Sequence, residues 1–162
     1  MKVTIRKGVQ EDLPAVMGLI QELAVYEKAP DEVENTIEQM QIEGFGPQSV
    51  FEFLVAEKEG TIIGLALYFY SYSTWKGKCL YLEDLVVTES ERGSGVGRRL
   101  FDAVAEVAKN ENAGRMQWQV LDWNEPAIGF YKQLGAELDG EWINCKLRRE
   151  QLQNYTPAPA KD

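Results

Sequence analysis

The chain has 162 residues, 26 acidic against 17 basic, a formal net charge of −9 and no histidine. That balance argues against nucleic acid as the main partner, because a phosphate backbone needs a basic footprint; the missing histidine excludes His-ligated metal, a Ser-His-Asp triad and a Cys-His pair. Cys79 and Cys145 stand apart with no C-x-x-C spacing, which predicts neither a zinc site nor a disulfide framework, and no apolar run approaches the ~20 residues of a membrane span.

A hydrophobic share of 44% and a charged share of 27% suit one globular domain, expected over residues 1–150. The opening Met1-Lys2-Val3-Thr4-Ile5-Arg6 lacks the apolar region of a signal peptide, so a cytoplasmic location is expected. Lys2–Arg6 alternates as a short strand. Asp12 and Pro14 open a helix, Asp12 as its cap, with Leu13, Val16, Met17, Ile20, Leu23 and Ala24 on one face. Tyr26 and Glu27 fall at its end, before Ala29-Pro30. A second, acidic helix runs from about Asn35 to Glu43 and stops at Gly44-Phe45-Gly46-Pro47. Phe51–Glu57, the turn Glu59-Gly60, Thr61–Tyr72 and Cys79–Val87 predict a meander of three antiparallel strands. A helix from Gly97 to about Asn112 follows, stopped by Gly114, then a strand over Met116–Leu121. Trp123-Asn124-Glu125-Pro126 turns into a short helix, Ala127–Leu134, ended by Gly135. Asp139-Gly140 leads to a last strand, Trp142–Leu147. Residues 151–162 are expected to be a partly disordered tail. The order β-α-α-β-β-β-α-β-α-β is α/β with a mixed sheet.

The most informative stretch is Leu80 to Leu100, a strand, a glycine-rich turn and a helix start. Glycines let backbone N–H groups approach a ligand with no Cβ in the way. A helix N-terminus adds N–H donors and partial positive charge, and the two together seat an anion, most often phosphate. The Walker pattern needs Gly-Lys-Ser/Thr, and Arg98-Arg99 stand there instead. The dinucleotide fingerprint fails in both registers, at Arg98 and at Leu100. What remains is Arg92, Gly95 and Gly97 in the spacing Arg/Gln-x-x-Gly-x-Gly/Ala, after a strand ending Leu85-Val86-Val87. This resembles the coenzyme A pyrophosphate loop of the GNAT superfamily of N-acetyltransferases. A ligand-free strand–helix turn is the plainer reading of the loop taken alone.

A second stretch, Asn124-Glu125-Pro126-Ala127-Ile128-Gly129-Phe130-Tyr131-Lys132-Gln133-Leu134-Gly135-Ala136, is similar to that family's Asn-x-x-Ala-x-x-x-Tyr-x-x-x-Gly-Phe/Ala motif. Both motifs occur in the family's order and spacing, and the resemblance spans residues 2 to 150. Glu22-Leu23-Ala24-x-Tyr26-Glu27, Leu80-Tyr81-Leu82-Glu83-Asp84 and Trp123-Asn124-Glu125-Pro126 narrow it to the diamine and spermidine/spermine N-acetyltransferase branch, which includes enzymes of lysine-like amines. The resemblance implies the GNAT acyl-CoA N-acyltransferase fold, a mixed, mostly antiparallel sheet flanked by helices. It implies acetyl-CoA as co-substrate, no metal, a small cationic amine as acceptor, and a homodimer. Backbone groups of Arg92, Gly93, Ser94, Gly95, Val96, Gly97 and Arg98 are expected to bind the diphosphate. Leu85, Val86 and Val87 are expected to pair with the pantetheine arm, and Asn124, Pro126, Ala127, Tyr131 and Lys132 to lie along the cofactor. Tyr26, Glu27 and Glu83 are expected to face the amine.

Physical chemistry adds roles. A phenol with pKa about 10 is protonated at neutral pH and can protonate a departing thiolate, which makes Tyr131 the candidate acid; in a short helix a tyrosine is otherwise a packing residue. A carboxylate within an apolar strand is unusual, which makes Glu83 the candidate base, directly or through water. Strand alternation puts Tyr81, Glu83 and Leu85 on one face and Leu82, Asp84 and Val86 on the other unless a bulge intervenes, leaving Asp84 for a structural or subunit contact. Arg98 and Lys132 either pair with phosphates or are surface charges. Asp122 and Glu141 are weaker candidates for the acidic groove. Acetylation of a protein substrate, or a non-catalytic acetyl-CoA-binding module, are the alternatives on the same fold.

Overall fold

The computed structural model describes residues 2–160; Met1 and, of the expected tail, Lys161 and Asp162 lie outside it. The backbone parts into two compact units after Leu121. The first holds β1 (Val3–Lys7), α1 (Leu13–Tyr26), α2 (Ile37–Phe45), β2 (Glu52–Lys58), β3 (Thr61–Ser73), β4 (Gly77–Val87), α3 (Val96–Asn110) and β5 (Met116–Gln117). Its strands form one sheet in the order β1-β2-β3-β4-β5, antiparallel up to β4 and parallel between β4 and β5. The expected mixed, mostly antiparallel sheet with flanking helices is what the chain forms.

Each turn follows from its residues. Glu59 and Gly60 both have positive φ, 51° and 78°, the geometry that matches the twist of a two-residue hairpin. Thr36 caps α2, its Oγ1 accepting the Gln39 N–H at 3.1 Å. Asp12 departs from the expected cap of α1. Its carboxylate accepts the Val9 N–H at 2.9 Å and two Arg6 N–H groups at 2.7 and 2.9 Å, so it braces the preceding turn against β1. The Arg6 guanidinium holds its carboxyl below the ordinary range.

Two faces of the sheet are covered. Leu13, Val16 and Leu19 of α1 and Met40 of α2 pack with Phe53, Val55, Leu65, Leu67 and Val86. On the opposite face α3 buries Val96, Leu100, Phe101, Val104 and Ala108. Gly64 makes room for it: a Cβ there would lie 2.9 Å from Leu100 Cδ1 and 3.3 Å from Ala56 Cβ.

Two strand expectations need correction. β5 was expected to reach Leu121 but pairs only at Leu80↔Met116 and Tyr81↔Gln117. The pairing stops just before β4 departs from regular register at Glu83, where extra twist and a broken ladder are expected of a bulge. In the second unit, α4 (Glu125–Gln133) and α5 (Arg149–Gln153) form, but the expected strand Trp142–Leu147 does not, and every residue from 137 to 160 is exposed. Strand-like composition alone does not make a regular ladder. Residues 149–153 are helical, and Gln151 Oε1 accepts the Arg148 N–H at 2.9 Å.

Candidate active site

The turn between β4 and α3 is built for exposed backbone donors. Gly93 and Gly95 have φ of 77° and 84°, left-handed values that cost an L-residue about 1–2 kcal/mol. An added Cβ at either would meet nothing within 4 Å, so these glycines serve backbone conformation and access, not close packing. Gly95 is the cap of α3 and contributes no side-chain acceptor. The helical ladder starts with Arg99 N–H to Gly95 O at 3.1 Å, so the N–H groups of Val96, Gly97 and Arg98 have no helical carbonyl. They meet the demands of a diphosphate seat.

Side chains hold that turn from two sides. Glu22 of α1 accepts the Thr88 hydroxyl at 3.0 Å and the Glu89 N–H at 2.8 Å. Lys58 of β2 donates to both Glu91 oxygens at 2.8 and 3.0 Å, and Ser94 Oγ donates to the Glu91 carbonyl. The Arg92 side chain turns back toward α1. Its Nε donates to Val87 O at 3.0 Å, its Nη2 lies 3.6 Å from Glu22, and its guanidinium sits 5.0 Å from the Tyr26 ring centroid. The first residue of the loop motif is therefore engaged as a brace. Arg98 donates to Asp102 one turn on, at 2.8 and 3.0 Å, an exposed pair whose side chains are committed to each other.

β4 presents a free edge beyond the last β5 pair. On one side it pairs with β3 along its length except at Glu83, whereas no strand pairs with its other edge from Leu82 to Val87 among the described residues. Leu85, Val86 and Val87, the expected pantetheine contacts, fall within that edge, and backbone groups there are open to an extended ligand.

The register within β4 corrects the sequence reading of the acids. Tyr68 pairs with Leu82 and Leu67 pairs with Asp84, so Glu83 has no partner of its own. This one-residue bulge shifts the alternation. Asp84 now shares the face of Leu67 and Val86, the face covered by α1 and α2, together with Tyr81, which pairs with Phe69 and stacks on it at 5.1 Å between centroids. Leu85, opposite Ala66, moves to the α3 face with Leu82. Tyr81, Glu83 and Leu85 therefore do not share a face, and Asp84 is not turned away from the α1 side. Burial pushes the Asp84 carboxyl up to about 7, with further upward pushes from Glu83 and then Glu27. Burial raises Glu27 as well, and burial followed by Glu83 raises the Tyr81 phenol. Asp84 thus senses both Glu83 and Glu27, and Tyr81 senses Glu83. Tyr81 and Phe69 were not singled out from sequence as site residues, and Asp84 was set aside. Without the bulge no periodic pattern reveals them.

Tyr26 is 39% exposed, and Arg92 already covers its ring. In the second unit, Asn124 caps α4 through its Oδ1, which accepts the Ala127 N–H at 3.4 Å. Pro126 sits in the first turn. Tyr131 is half-buried, with its ring 5.4 Å from Phe130, and Lys132 is exposed. Asp122 and Glu141 are exposed. Among the described residues no group of three or more acidic or cysteine side chains is arranged to hold a metal ion, and no helix is long and apolar enough to cross a membrane.

A mixed sheet whose central strand has an open edge and runs into a glycine-opened helix is an acyltransferase architecture. The sequence matches the acetyltransferase (GNAT) family over residues 16–136. It is 40% identical over 143 residues to thialysine N-epsilon-acetyltransferase of Bos taurus, covering 83% of this chain and 84% of that one. It is 34% identical over 158 residues to a human spermidine/spermine N(1)-acetyltransferase-like protein 1, covering 91% of this chain and 23% of that one. Among solved structures, an integron cassette protein from the mobile metagenome of V. cholerae aligns with a TM-score of 0.78 at 25% identity, over 94% of this chain and 96% of that one. The chain belongs to the GNAT acetyltransferase family and is an N-acetyltransferase, a family that uses acetyl-CoA.

Proposed function

We propose that the protein transfers the acetyl group of acetyl-CoA to a primary amine of a small cationic acceptor, a diamine, a polyamine or a lysine-like amine. The observation that carries this reading is the skipped register at Glu83. It leaves two adjacent carboxylates beside Glu27 and an aromatic stack, next to the free edge of β4. The names of the relatives point the same way: a thialysine N-epsilon-acetyltransferase, a spermidine/spermine N(1)-acetyltransferase-like protein and, in Arabidopsis thaliana, an L-ornithine N5-acetyltransferase 37% identical over 122 residues.

Acetyl-CoA supplies an activated thioester. The N–H groups from Gly93 to Arg98 hold its diphosphate, and the backbone of Leu85 to Val87 lines its arm. Asn124, Pro126 and Ala127 shape the start of α4, and Lys132 supplies a positive charge from the same helix. The acceptor arrives as an ammonium. With a pKa near 10, only about one molecule in a thousand is neutral at pH 7. Glu27 and Tyr26 attract the cation. Glu83, the exposed acid, draws the amine proton through water, and Asp84, poised near neutrality by burial, shares it; a base works best with a pKa near the working pH. A backbone N–H at the open edge polarises the thioester carbonyl. Tyr131 protonates the departing thiolate, a role supported by its place in the motif and by the ability of a phenol, with a reference pKa of about 10, to donate at neutral pH.

A homodimer is part of this proposal. Trp142 is 78% exposed, Ile143 87% and Leu147 53%, in a segment that the sequence reads as a strand. A second copy of the chain offers such a segment cover. A cytoplasmic location completes the reading.

An acceptor panel tests it. With acetyl-CoA, at least one of thialysine, ornithine, putrescine and spermidine should be acetylated at its primary amine. If all were inert while a peptide was acetylated, protein acetylation would replace the small-amine reading. If coenzyme bound and nothing was acetylated, the chain would be a binding module.

A further inference from the structure

We infer that Glu22 is a positioning residue that sets both the diphosphate turn and the acceptor wall, without touching either ligand. One carboxylate makes all the relevant contacts. Its Oε2 accepts the Thr88 hydroxyl at 3.0 Å, its Oε1 accepts the Glu89 N–H at 2.8 Å, and the same Oε1 lies 3.6 Å from Arg92 Nη2. Thr88 and Glu89 are the first residues after β4, so fixing them fixes where the chain enters the glycine turn. Arg92, oriented by Glu22 on one side and by Val87 O on the other, in turn covers the Tyr26 ring. Tyr26 stands four residues after Glu22 on α1, one helical turn along the same face.

The chemistry of the contacts separates the two effects. The turn needs acceptors for a hydroxyl and an N–H, which a neutral amide supplies: its carbonyl accepts from Glu89, and its NH₂ donates to Thr88 Oγ1. Arg92 needs negative charge, which an amide lacks. The inference rests on the functional reading above for its ligands, but the positioning itself belongs to the unliganded chain.

Three variants, Glu22→Ala, Glu22→Gln and Arg92→Lys, test it in the full chain. Amide hydrogen exchange over residues 88–95 reads the turn with no ligand present. Glu22→Ala should speed exchange there at least tenfold while the β2 and β3 amides keep their protection, and Glu22→Gln should restore most of it. Calorimetry with coenzyme A should show affinity lowered about tenfold in Glu22→Ala and within threefold of the parent in Glu22→Gln. The KM for the best amine of the acceptor panel should rise severalfold in both variants and in Arg92→Lys, with kcat changed less than threefold. Adding Arg92→Lys to Glu22→Gln should raise that KM no further.

Unchanged exchange at 88–95 in Glu22→Ala would overturn the positioning claim whatever the enzyme's activity. Normal coenzyme affinity and amine KM in that variant, with the parent fully active, would overturn it too. A parent chain that binds no coenzyme would instead sink the functional reading and leave the exchange result to decide the role of Glu22.

Discussion

Replacing Asp84 with asparagine should make the protein more stable above neutral pH and less active. Burial, aided by Glu83 and Glu27, holds the Asp84 carboxyl at about 7 rather than 3.8. At about 1.4 kcal/mol per tenfold change in proton affinity, that displacement corresponds to roughly 4 kcal/mol of resistance to charging in the fold. Solvent relaxation around a partly accessible group reduces this to about 1–3 kcal/mol. The sign follows from proton counting. Between about pH 4 and 7 the folded chain keeps a proton that the unfolded chain has released, so stability declines as pH rises through that window and the decline ends above about 8. Asparagine resembles the protonated acid and escapes the decline. Its advantage over the parent should therefore be small at pH 4, intermediate at pH 5.5 and full at pH 8. At about 2–4 °C per kcal/mol for a chain of this size, Tm should rise by about 2–12 °C at pH 8. Paired melts at pH 5.5 and 8 measure it, and in the difference between variant and parent the titrating groups not coupled to Asp84 cancel. A variant that melts below the parent at pH 8, or one whose advantage is the same at both pH values, would refute the account of Asp84 as a strained carboxyl.

The same residue should show in kinetics: kcat/KM for the amine should rise with pH through about 7, and that inflection should vanish in Asp84→Asn while the rise set by the amine's own ionisation persists. Glu83→Gln should lower kcat/KM for the amine about 10- to 100-fold and leave coenzyme affinity, read by calorimetry, unchanged. Tyr131→Phe should lower kcat by about 10²–10⁴-fold with coenzyme affinity kept; loss of both together would make Tyr131 a binding residue instead of an acid. Gly95→Ala, forced to φ 84°, should cost about 1–2 kcal/mol of stability and weaken coenzyme binding, both visible in melts with and without ligand. Trp142→Ser combined with Ile143→Ser should halve the sedimenting mass if a second copy covers that segment.

Much of the fold was legible because its signals are local. Glu59-Gly60 announces a hairpin, Gly93 to Gly97 announce a helix start, and the apolar spacing of Leu100, Phe101, Val104, Val107 and Ala108 announces the face of α3 that is buried apart from the partly exposed Val107. Asp12 was misread because its partner, Arg6, belongs to a different element; an ion pair to β1 replaced the helix cap that local sequence favours. The last strand failed for a related reason. Trp142–Leu147 has the composition of a strand, but a strand is a relation between two segments, which composition alone does not reveal. The left-handed glycine turn at the start of α3 was readable as backbone chemistry, since glycine spacing encodes it. The jobs of Arg92 and Glu22 were not, because they depend on where α1 comes to rest beside Thr88.

The acids are the case in which a single residue of register changes the chemistry. In an unbroken strand Glu83 and Asp84 face opposite ways, and only one can meet an ammonium. Skipping Glu83 brings Asp84 to the face of Tyr81 and lets two like charges share one environment. Neighbouring carboxylates oppose each other's ionisation, and a cation placed between them removes that opposition. The fold therefore carries an unfavourable charge arrangement that an ammonium acceptor relieves. Acceptor binding should accordingly release part of the proton held at Asp84, so that calorimetry of a dicationic amine near pH 7 gives an apparent enthalpy that varies with the ionisation enthalpy of the buffer. That buffer dependence should disappear in Asp84→Asn. Its persistence there at full strength would assign the released proton to another group and remove Asp84 from the acceptor site.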